Sequence, residues 1–494
     1  MSGRPVICAL AALLAIAAGN GRTGSEIPAD PRALIPPPLA PGFPAIDRYL
    51  RTLTSGTTVF VGVDRTLPLV DVIVAIPAGS ELDPPDQSGL ALLTAALARR
   101  GGAGELDATG FDLAAEALGI EIDARSTSRR TVAFLRTPSW NLGPALDLFL
   151  DMIILPRFDS SELERIRSNL TDSLNRRRDD SWALLDREVE LLRFGRQTPG
   201  RRQLTGPELD AIGVEDLERF HRLHWRPNDM IAAISGDFVE TEILELLTDR
   251  LAAPATESPT TEGERRKVGR CIARTPDRRG LFFLHHPSPE VRVSMTLPLP
   301  AAPGWQPSER AALAVAAEVL GGRGGLARVQ GRLRAGEGLV YQTRVDLRLD
   351  DPCFGALSIE FSCGTEAVAR ATAAAAEELD RLAVELIDPD ELSIARRALL
   401  SGLRSSWDTA EEIVGHFAED QLLDRPRDHW DRYAAAIASV TVNDVRAIAR
   451  RHLTSDRLLT VTVGDWRAAA GRPRGEPTEI PPRDPLTLEP PGRP

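Results

Sequence analysis

The sequence predicts an α+β fold of two homologous domains, each a mixed or antiparallel sheet with helices packed on one face. Three observations lead to this prediction. The chain has 494 residues, 43% of them hydrophobic and 26% charged, which is enough for two sizeable cores. One stretch of the second half repeats a stretch of the first. Strand and helix patterns are also mixed within each half, which favours sheets covered by helices.

The repeat is clearest where residues 212–238 and 440–466 align without a gap. Both stretches have the pattern of a helix with 3.6 periodicity, a short break and an apolar strand ending in Gly-Asp. Identical residues occur at Val214/Val442, Asp216/Asp444, Arg222/Arg450, His224/His452, Gly236/Gly464 and Asp237/Asp465. Duplication of one α/β unit is the simplest account.

The other elements follow in the same order in both halves. Each half opens with a strand, continues with an apolar helix and further strands, and then has two long helices. The predicted strands are 70–76, 230–235 and 291–297, and the predicted helices are 90–99, 160–178, 182–194, 309–320, 368–386 and 389–406.

Composition shifts set the predicted boundaries. An apolar run after Arg4, ending in small residues with an A-x-A site, predicts a signal peptide over 1–19, with a retained membrane anchor as the alternative. Pro-rich or polar linkers are predicted over 20–45 and 252–275. The two domains are predicted over 46–251 and 276–470, followed by a disordered Pro-rich tail over 471–494. We expect an exported, periplasmic bacterial protein without a stable membrane span after cleavage.

Charge and cysteine content narrow the function classes. A net charge of −12 argues against a nucleic-acid groove. Cys353 and Cys363 on one strand would be about 33 Å apart and could not bridge each other. The sequence therefore predicts no disulfide framework, despite the export signal.

A helical segment of the first half, 88–97, reads SGLALLTAAL. It resembles the signature helix of the pitrilysin/insulinase family of zinc peptidases, which reads G-L-A-H-x-x-E-H. On this alignment Leu92 and Ala96 replace the two zinc-binding histidines, and Ala95 replaces the glutamate that polarises water. The family's third ligand, a glutamate, falls on Ser173, with Asp172 beside it. The resemblance thus implies a degenerate zinc site and no metal bound by this chain.

The resemblance extends through most of the chain and implies the family's fold of two α+β domains. In the second half, Leu320-Gly321-Gly322, then 327–334 and Gly338-Leu339-Val340-Tyr341 resemble L-G-G … S-R-L-x-x-x-L-R-x-x-x-G-L-x-Y. The family's Arg and Tyr map onto Arg334 and Tyr341, which the resemblance implies bind the substrate carbonyl and stabilise the transition state. Taken alone, an arginine at a helix end is usually a solvated charge.

Other candidates have weaker support. His221 and His224 lie three apart on a predicted helix, but no further ligand completes a metal set, so packing is favoured. His285 and His286 are adjacent at a strand end and unsuited to chelating one ion. The run 321–325, GGRGG, lacks the Lys-Ser/Thr ending of a phosphate loop and follows a helix.

These observations favour a non-zinc subunit of an exported heterodimeric zinc metalloendopeptidase, inactive alone. Its expected partners are a zinc-bearing subunit of the same family and unfolded peptides, with no nucleic acid. Arg334 and Tyr341 would act in trans at the partner's zinc. The alternative is a catalytically silent homologue acting as a structural or peptide-binding protein. Hydrolysis through an unrecognised site of this chain alone is disfavoured, because all the metal-ligand positions are vacant.

Overall fold

Two six-stranded mixed sheets organise the part of the chain that the structure describes. The structure is a computed structural model that describes residues 42–196, 198–251, 278–301, 305–322, 327–351, 353–465 and 477–489. The predicted signal peptide, most of the first linker and all of the second linker lie outside these residues.

Sheet 1 belongs to the first half and has the strand order β1-β2-β6-β3-β5-β4. Its strands are β1 Leu50–Thr52, β2 Thr58–Val63, β3 Leu69–Ile76, β4 Glu121–Ser126, β5 Thr131–Pro138 and β6 Ile231–Gly236. β2 and β6 are parallel and the other neighbouring pairs are antiparallel. The sheet is therefore mixed.

Sheet 2 repeats this plan with the order β12-β7-β11-β8-β10-β9. Its strands are β7 Gly280–His285, β8 Glu290–Leu299, β9 Val340–Arg348, β10 Gly355–Gly364, β11 Leu459–Gly464 and β12 Thr478–Glu479. β7 runs parallel to both β11 and β12, and the other pairs are antiparallel. The two-domain α+β prediction is confirmed.

The described helices lie between the strands in matching order. In the first half they are α1 Leu90–Arg100, α2 Ala108–Leu118, α3 Leu142–Ile154, α4 Ser160–Arg176, α5 Ser181–Phe194, α6 Gly206–Ala211, α7 Val214–His224 and α8 Glu240–Arg250. In the second half the longer helices are α9 Pro307–Gly321, α10 Val368–Val384, α11 Pro389–Ser405, α12 Ala410–Leu422, α13 His429–Ser439 and α14 Val442–His452. A short helical turn, Arg328–Gln330, and the π-helix Gly331–Gly336 precede β9.

The predicted repeat is visible element by element. Helix α7, the 3₁₀ turn Pro227–Asp229 and β6 correspond to α14, the 3₁₀ turn Ser455–Arg457 and β11, with one constant offset in all bounds. The residue before each helix, Gly213 or Thr441, donates its backbone amide to an aspartate three positions on, Asp216 or Asp444. The two copies thus share local signals as well as topology.

The two halves exchange helices across their sheets. α12 of the second half packs on β2 and β6 of sheet 1, where Phe417 lies 5.9 Å from Phe60 between ring centroids. Gly62 permits this approach, because a Cβ there would lie 3.0 Å from Cγ1 of Val414. α5 of the first half packs on β8 and β11 of sheet 2, where Leu185 is fully buried. Each sheet is therefore covered on its second face by a helix of the other half.

The predicted disorder of the tail is wrong for residues 477–489, which we call the C-terminal strap. Its strand β12 pairs with β7, and the carbonyl of Leu486 accepts a 2.8 Å hydrogen bond from the amide of Gly206. Ile480 is 4% exposed and Leu488 is 3% exposed. Arg483 donates to the fully buried carboxylate of Glu188 at 3.3 Å. A few apolar anchors thus order a segment whose overall composition is typical of disorder.

The cysteines also need one correction. Cys363 is a free, buried thiol, so it does not bridge Cys353, as predicted. Cys353 is nevertheless disulfide-bonded. The prediction of no disulfide framework missed this bond, because spacing within one strand says nothing about cysteines elsewhere.

Candidate functional site

Helix α1 carries three of the four degenerate zinc-site positions. Leu92 and Ala96 are one turn apart and half-buried, and Ala95 is 1% exposed in the first core. The spacing would place two ligands on one helix face, but these side chains carry no lone pair. Helix α1 is thus a core helix whose predicted ligand positions hold apolar side chains.

The start of α1 is fixed by a buried carboxylate. Gly89 has a φ of 99°, in the left-handed region, and directs the chain into the helix. Asp83 accepts hydrogen bonds from the amides of Gly89 at 2.9 Å and Ala91 at 2.8 Å. Burial raises the pKa of Asp83 to about 6, although these amides and nearby Arg202 act in the opposite direction. The helix start therefore has a titratable group that sequence reasoning missed.

Helix α4 carries the fourth position and packs against α1. Ser173 follows the buried Ile166 by seven residues, which is about two helical turns, so the two share one side of α4. Asp172 is turned away from that side by about 100°. Both Ser173 and Asp172 are exposed. Helical geometry thus favours Ser173 over Asp172 as the counterpart of the third ligand.

The residues at these positions do not fit a zinc ion. Leu92 and Ala96 are apolar, and a serine hydroxyl is not among the side chains that commonly bind zinc. Within the ranges that the structure describes, no group of three or more His, Cys, Asp or Glu side chains could hold a metal ion. That the protein carries no zinc stays a prediction.

Arg334 and Tyr341, predicted from a motif in the second half, are brought together. Arg334 lies in the π-helix Gly331–Gly336, and Tyr341 is near the start of β9. Gly338, with a φ of 62°, reverses the chain between them. The Cζ atom of Arg334 lies 5.2 Å from the centroid of the Tyr341 ring, within cation–π range. π-helical turns of this kind occur frequently at functional sites.

This pair is presented to solvent. Tyr341 is 80% exposed and Arg334 is also exposed. Among the described residues, no carboxylate forms an ion pair with Arg334. The guanidinium and the phenol can therefore both donate hydrogen bonds to a bound molecule.

A cluster of ion pairs, which the sequence did not reveal, is centred on Arg332, two residues before Arg334. Arg332 donates to Glu337 at 3.1 Å and to Glu378 at 3.2 Å, and it also bonds Glu377. Hydrogen bonds, first that with Glu377, raise the pKa of Arg332, and Arg332 lowers the pKa of Glu337. Only the packing of α10 against this segment could have shown the cluster.

Each of the remaining histidine candidates lies beside backbone or side-chain groups of the fold. Nε2 of His221 lies 2.8 Å from the carbonyl of Ile153, and burial lowers the pKa of His221. The ring of His224 lies 4.7 Å from that of Phe220. Nε2 of His286 is 3.2 Å from a backbone carbonyl, and His285 lies beside Asp465. Packing, the interpretation favoured for His221 and His224, agrees with these contacts.

The glycine-rich run 321–325 lies only partly within the described residues. Gly321 ends α9 and Gly322 follows it, whereas 323–326 lie outside the described residues. The run therefore follows a helix rather than a strand, unlike a phosphate-binding loop.

The fold and these positions define a duplicated α+β protein with a peptidase-like helix that lacks metal ligands. Two family models match it. Residues 59–193 match "Insulinase (Peptidase family M16)", and residues 211–399 match "Peptidase M16 inactive domain". Together they cover well over half of the sequence. The chain belongs to peptidase family M16, the insulinase family.

Relatives of known sequence agree with this. An uncharacterized zinc protease of Mycobacterium tuberculosis is 25% identical over 355 residues, which span 71% of this chain and 78% of the relative. An uncharacterized zinc protease of Streptomyces coelicolor is 23% identical over 341 residues, spanning 68% and 72%. The similarity thus covers most of each protein.

Solved structures share the fold. The peptidase M16 inactive domain from Pseudomonas fluorescens superposes with a TM-score of 0.72 at 21% identity, covering 86% of this chain and 99% of that one. The periplasmic protease PqqL from Escherichia coli gives a TM-score of 0.68 at 16% identity, covering 88% of this chain and 47% of that one. None of the described helices combines the length and the apolarity needed to traverse a bilayer.

Proposed function

We propose that this chain is the non-zinc subunit of an exported heterodimeric M16 peptidase. The observation that carries the proposal is the exposed Arg334–Tyr341 pair, in which Cζ of Arg334 lies 5.2 Å from the centroid of the Tyr341 ring. The same chain has Leu92, Ala96 and Ser173 at the predicted metal-ligand positions. The partner would be an M16 chain with an intact H-x-x-E-H motif and would supply the zinc chemistry. The substrates would be unfolded peptides.

The pair has the chemistry that this role needs. A peptide carbonyl gains negative charge on its oxygen as its carbon is attacked, and fixed donors aimed at that oxygen lower the barrier. Arg334 brings a planar guanidinium with several N–H donors, and Tyr341 brings a phenolic O–H donor. Both side chains are exposed, so a substrate held by a second subunit could reach them.

Two further observations support export. An apolar segment typical of a signal peptide begins the sequence. The disulfide at Cys353 is typical of proteins that leave the reducing cytosol.

The test is reconstitution with a zinc-bearing M16 chain from the same organism. Size-exclusion chromatography measures assembly, and a quenched-fluorescence peptide assay measures turnover. Arg334→Ala or Tyr341→Phe should lower turnover roughly ten- to a thousand-fold, the scale for removing one such donor. Assembly and the partner's zinc content should not change.

Arg397→Ala is the matched control, because Arg397 is an exposed arginine of α11 outside the pair. It should leave turnover unchanged. Full activity of the Arg334→Ala, Tyr341→Phe double variant would refute the proposal and leave the structural or peptide-binding homologue. Failure of the two chains to assemble would refute the heterodimer.

A further inference from the structure

Arg334 and Tyr341 are carried by one tight turn, 331–341. The amide of Glu337 donates to the carbonyl of Arg332 at 2.9 Å, and the amide of Leu339 donates to that of Leu333 at 2.8 Å. Leu333 is fully buried and anchors the start of the turn. The relative position of the guanidinium and the phenol is therefore set by the shape of this turn.

The side chain of Arg332 bonds both to another residue of the turn and to helix α10. Its Nε donates to Glu337, which directly follows the π-helix Gly331–Gly336, at 3.1 Å. Its two Nη atoms donate to Glu377 and Glu378 on α10. Arg370, also on α10, donates to Glu337 at 3.0 Å. One guanidinium thus links both ends of the π-helical segment of the turn to one helix.

This cluster differs from an ordinary surface ion pair, which contributes little. Arg332 uses all three of its nitrogens, and Glu378 is 2% exposed, so part of the cluster is shielded from water and salt. Arg334, two residues on, has no described carboxylate partner that could hold it independently. Its placement over Tyr341 depends on the turn.

We propose that Arg332 is a positioning residue: by pairing with Glu337, Glu377 and Glu378 it holds the turn in the shape that places Arg334 beside Tyr341. The proposal deepens the proposed function and rests on it. It assigns Arg332 no contact with substrate.

The first experiment measures turnover of the reconstituted heterodimer. Arg332→Gln should lower kcat roughly ten- to a hundred-fold, because small misplacements of catalytic donors are costly. Arg332→Lys keeps the positive charge but replaces the three guanidinium nitrogens by one. Its kcat should therefore lie between those of Arg332→Gln and wild type. Arg381→Gln is the matched control: Arg381 also donates to Glu378, at 3.0 Å, but does not contact the turn, so its kcat should not change.

The second experiment separates positioning from general stability. In a chain that already carries Arg334→Ala and Tyr341→Phe, adding Arg332→Gln should lower turnover no further, because the groups it positions are gone. The proposal would be overturned if Arg332→Gln lowered turnover by the same factor in that background as in wild type. Full activity of Arg332→Gln alone would also overturn it.

A third measurement does not depend on activity. Hydrogen exchange of this chain should show faster exchange of the peptide covering 331–341 in Arg332→Gln, but not in Arg381→Gln. Unchanged exchange in that peptide overturns the positioning role. If Arg334→Ala with Tyr341→Phe leaves turnover unchanged, the proposed function fails instead, and hydrogen exchange still decides whether Arg332 shapes the turn.

Discussion

The C-terminal strap should stabilise the fold through two anchors, Ile480 and Leu488. Each is almost fully buried, at 4% and 3% exposure. Truncating a buried Ile or Leu to Ala costs about 2–5 kcal/mol in the free energy of unfolding. Ordering the strap costs conformational entropy, so its net docking energy is smaller than the sum of its contacts. We therefore expect Ile480→Ala to cost about 2–5 kcal/mol and the double variant with Leu488→Ala to cost less than twice that.

Urea unfolding followed by tryptophan fluorescence measures these changes, and limited proteolysis reports whether the strap has detached. Glu479→Ala is the matched control, because Glu479 is exposed and directly precedes Ile480 in the strap. It should change stability little. If Ile480→Ala were as stable as Glu479→Ala, the strap would make no net contribution and its burial would be incidental.

Three further predictions concern α1. Because the pKa of Asp83 is raised to about 6 from an ordinary 3.8, the folded state prefers the neutral acid. Its contribution to stability is then greatest below about pH 4 and falls by about 3 kcal/mol as pH rises through 6. Urea unfolding should show the advantage of wild type over Asp83→Asn shrinking over that range; a growing advantage contradicts this sign. Leu92→His and Ala96→His with Ser173→Glu should create zinc affinity, absent from wild type, by equilibrium dialysis, and a folded, zinc-free triple variant would refute the register. Adding Ala95→Glu should destabilise by at least about 1–3 kcal/mol, because that 1% exposed position has no room for a larger side chain.

Much of the fold could be predicted because the signals are local. The 3.6 periodicity of 214–224 and 442–452, each followed by an apolar strand, depends only on residues close in sequence. The exchange of α5 and α12 could not be predicted in the same way. Periodicity shows that a helix has an apolar face, but not which sheet that face covers. Gly62, which admits α12, has no signature that distinguishes it from other glycines.

The tail was mispredicted for a related reason. Averaged over 471–494, proline and polar residues dominate. Order depends instead on Ile480 and Leu488, which are both buried. Composition reports the average polarity of the whole segment. Docking depends instead on a few apolar residues and on the pockets that receive them.

The candidate site also has features that local sequence signals predict and features that depend on tertiary packing. The spacing of Arg334 and Tyr341 was readable as a motif, and the structure places them in contact. The partners of Arg332 on α10 were not readable, because ion pairs between distant segments depend on tertiary packing. Arg334 and Tyr341, which we propose bind substrate, could thus be found from the sequence, while the residue proposed to position them could not.

The contrast between α1 and the Arg334–Tyr341 pair is the strongest physical argument for a divided site. Helix α1 would persist without any catalytic role, because Leu92, Ala95 and Ala96 pack against the first core. Stability gives no comparable reason for Tyr341, an aromatic side chain that is 80% exposed and buries little surface. Nor does it explain Arg334, which has no described carboxylate partner. A chain that held both only for its fold could replace them at little cost. Their presence on an ordered turn therefore supports a role toward a second molecule, as the proposed pairing with a zinc-bearing subunit requires.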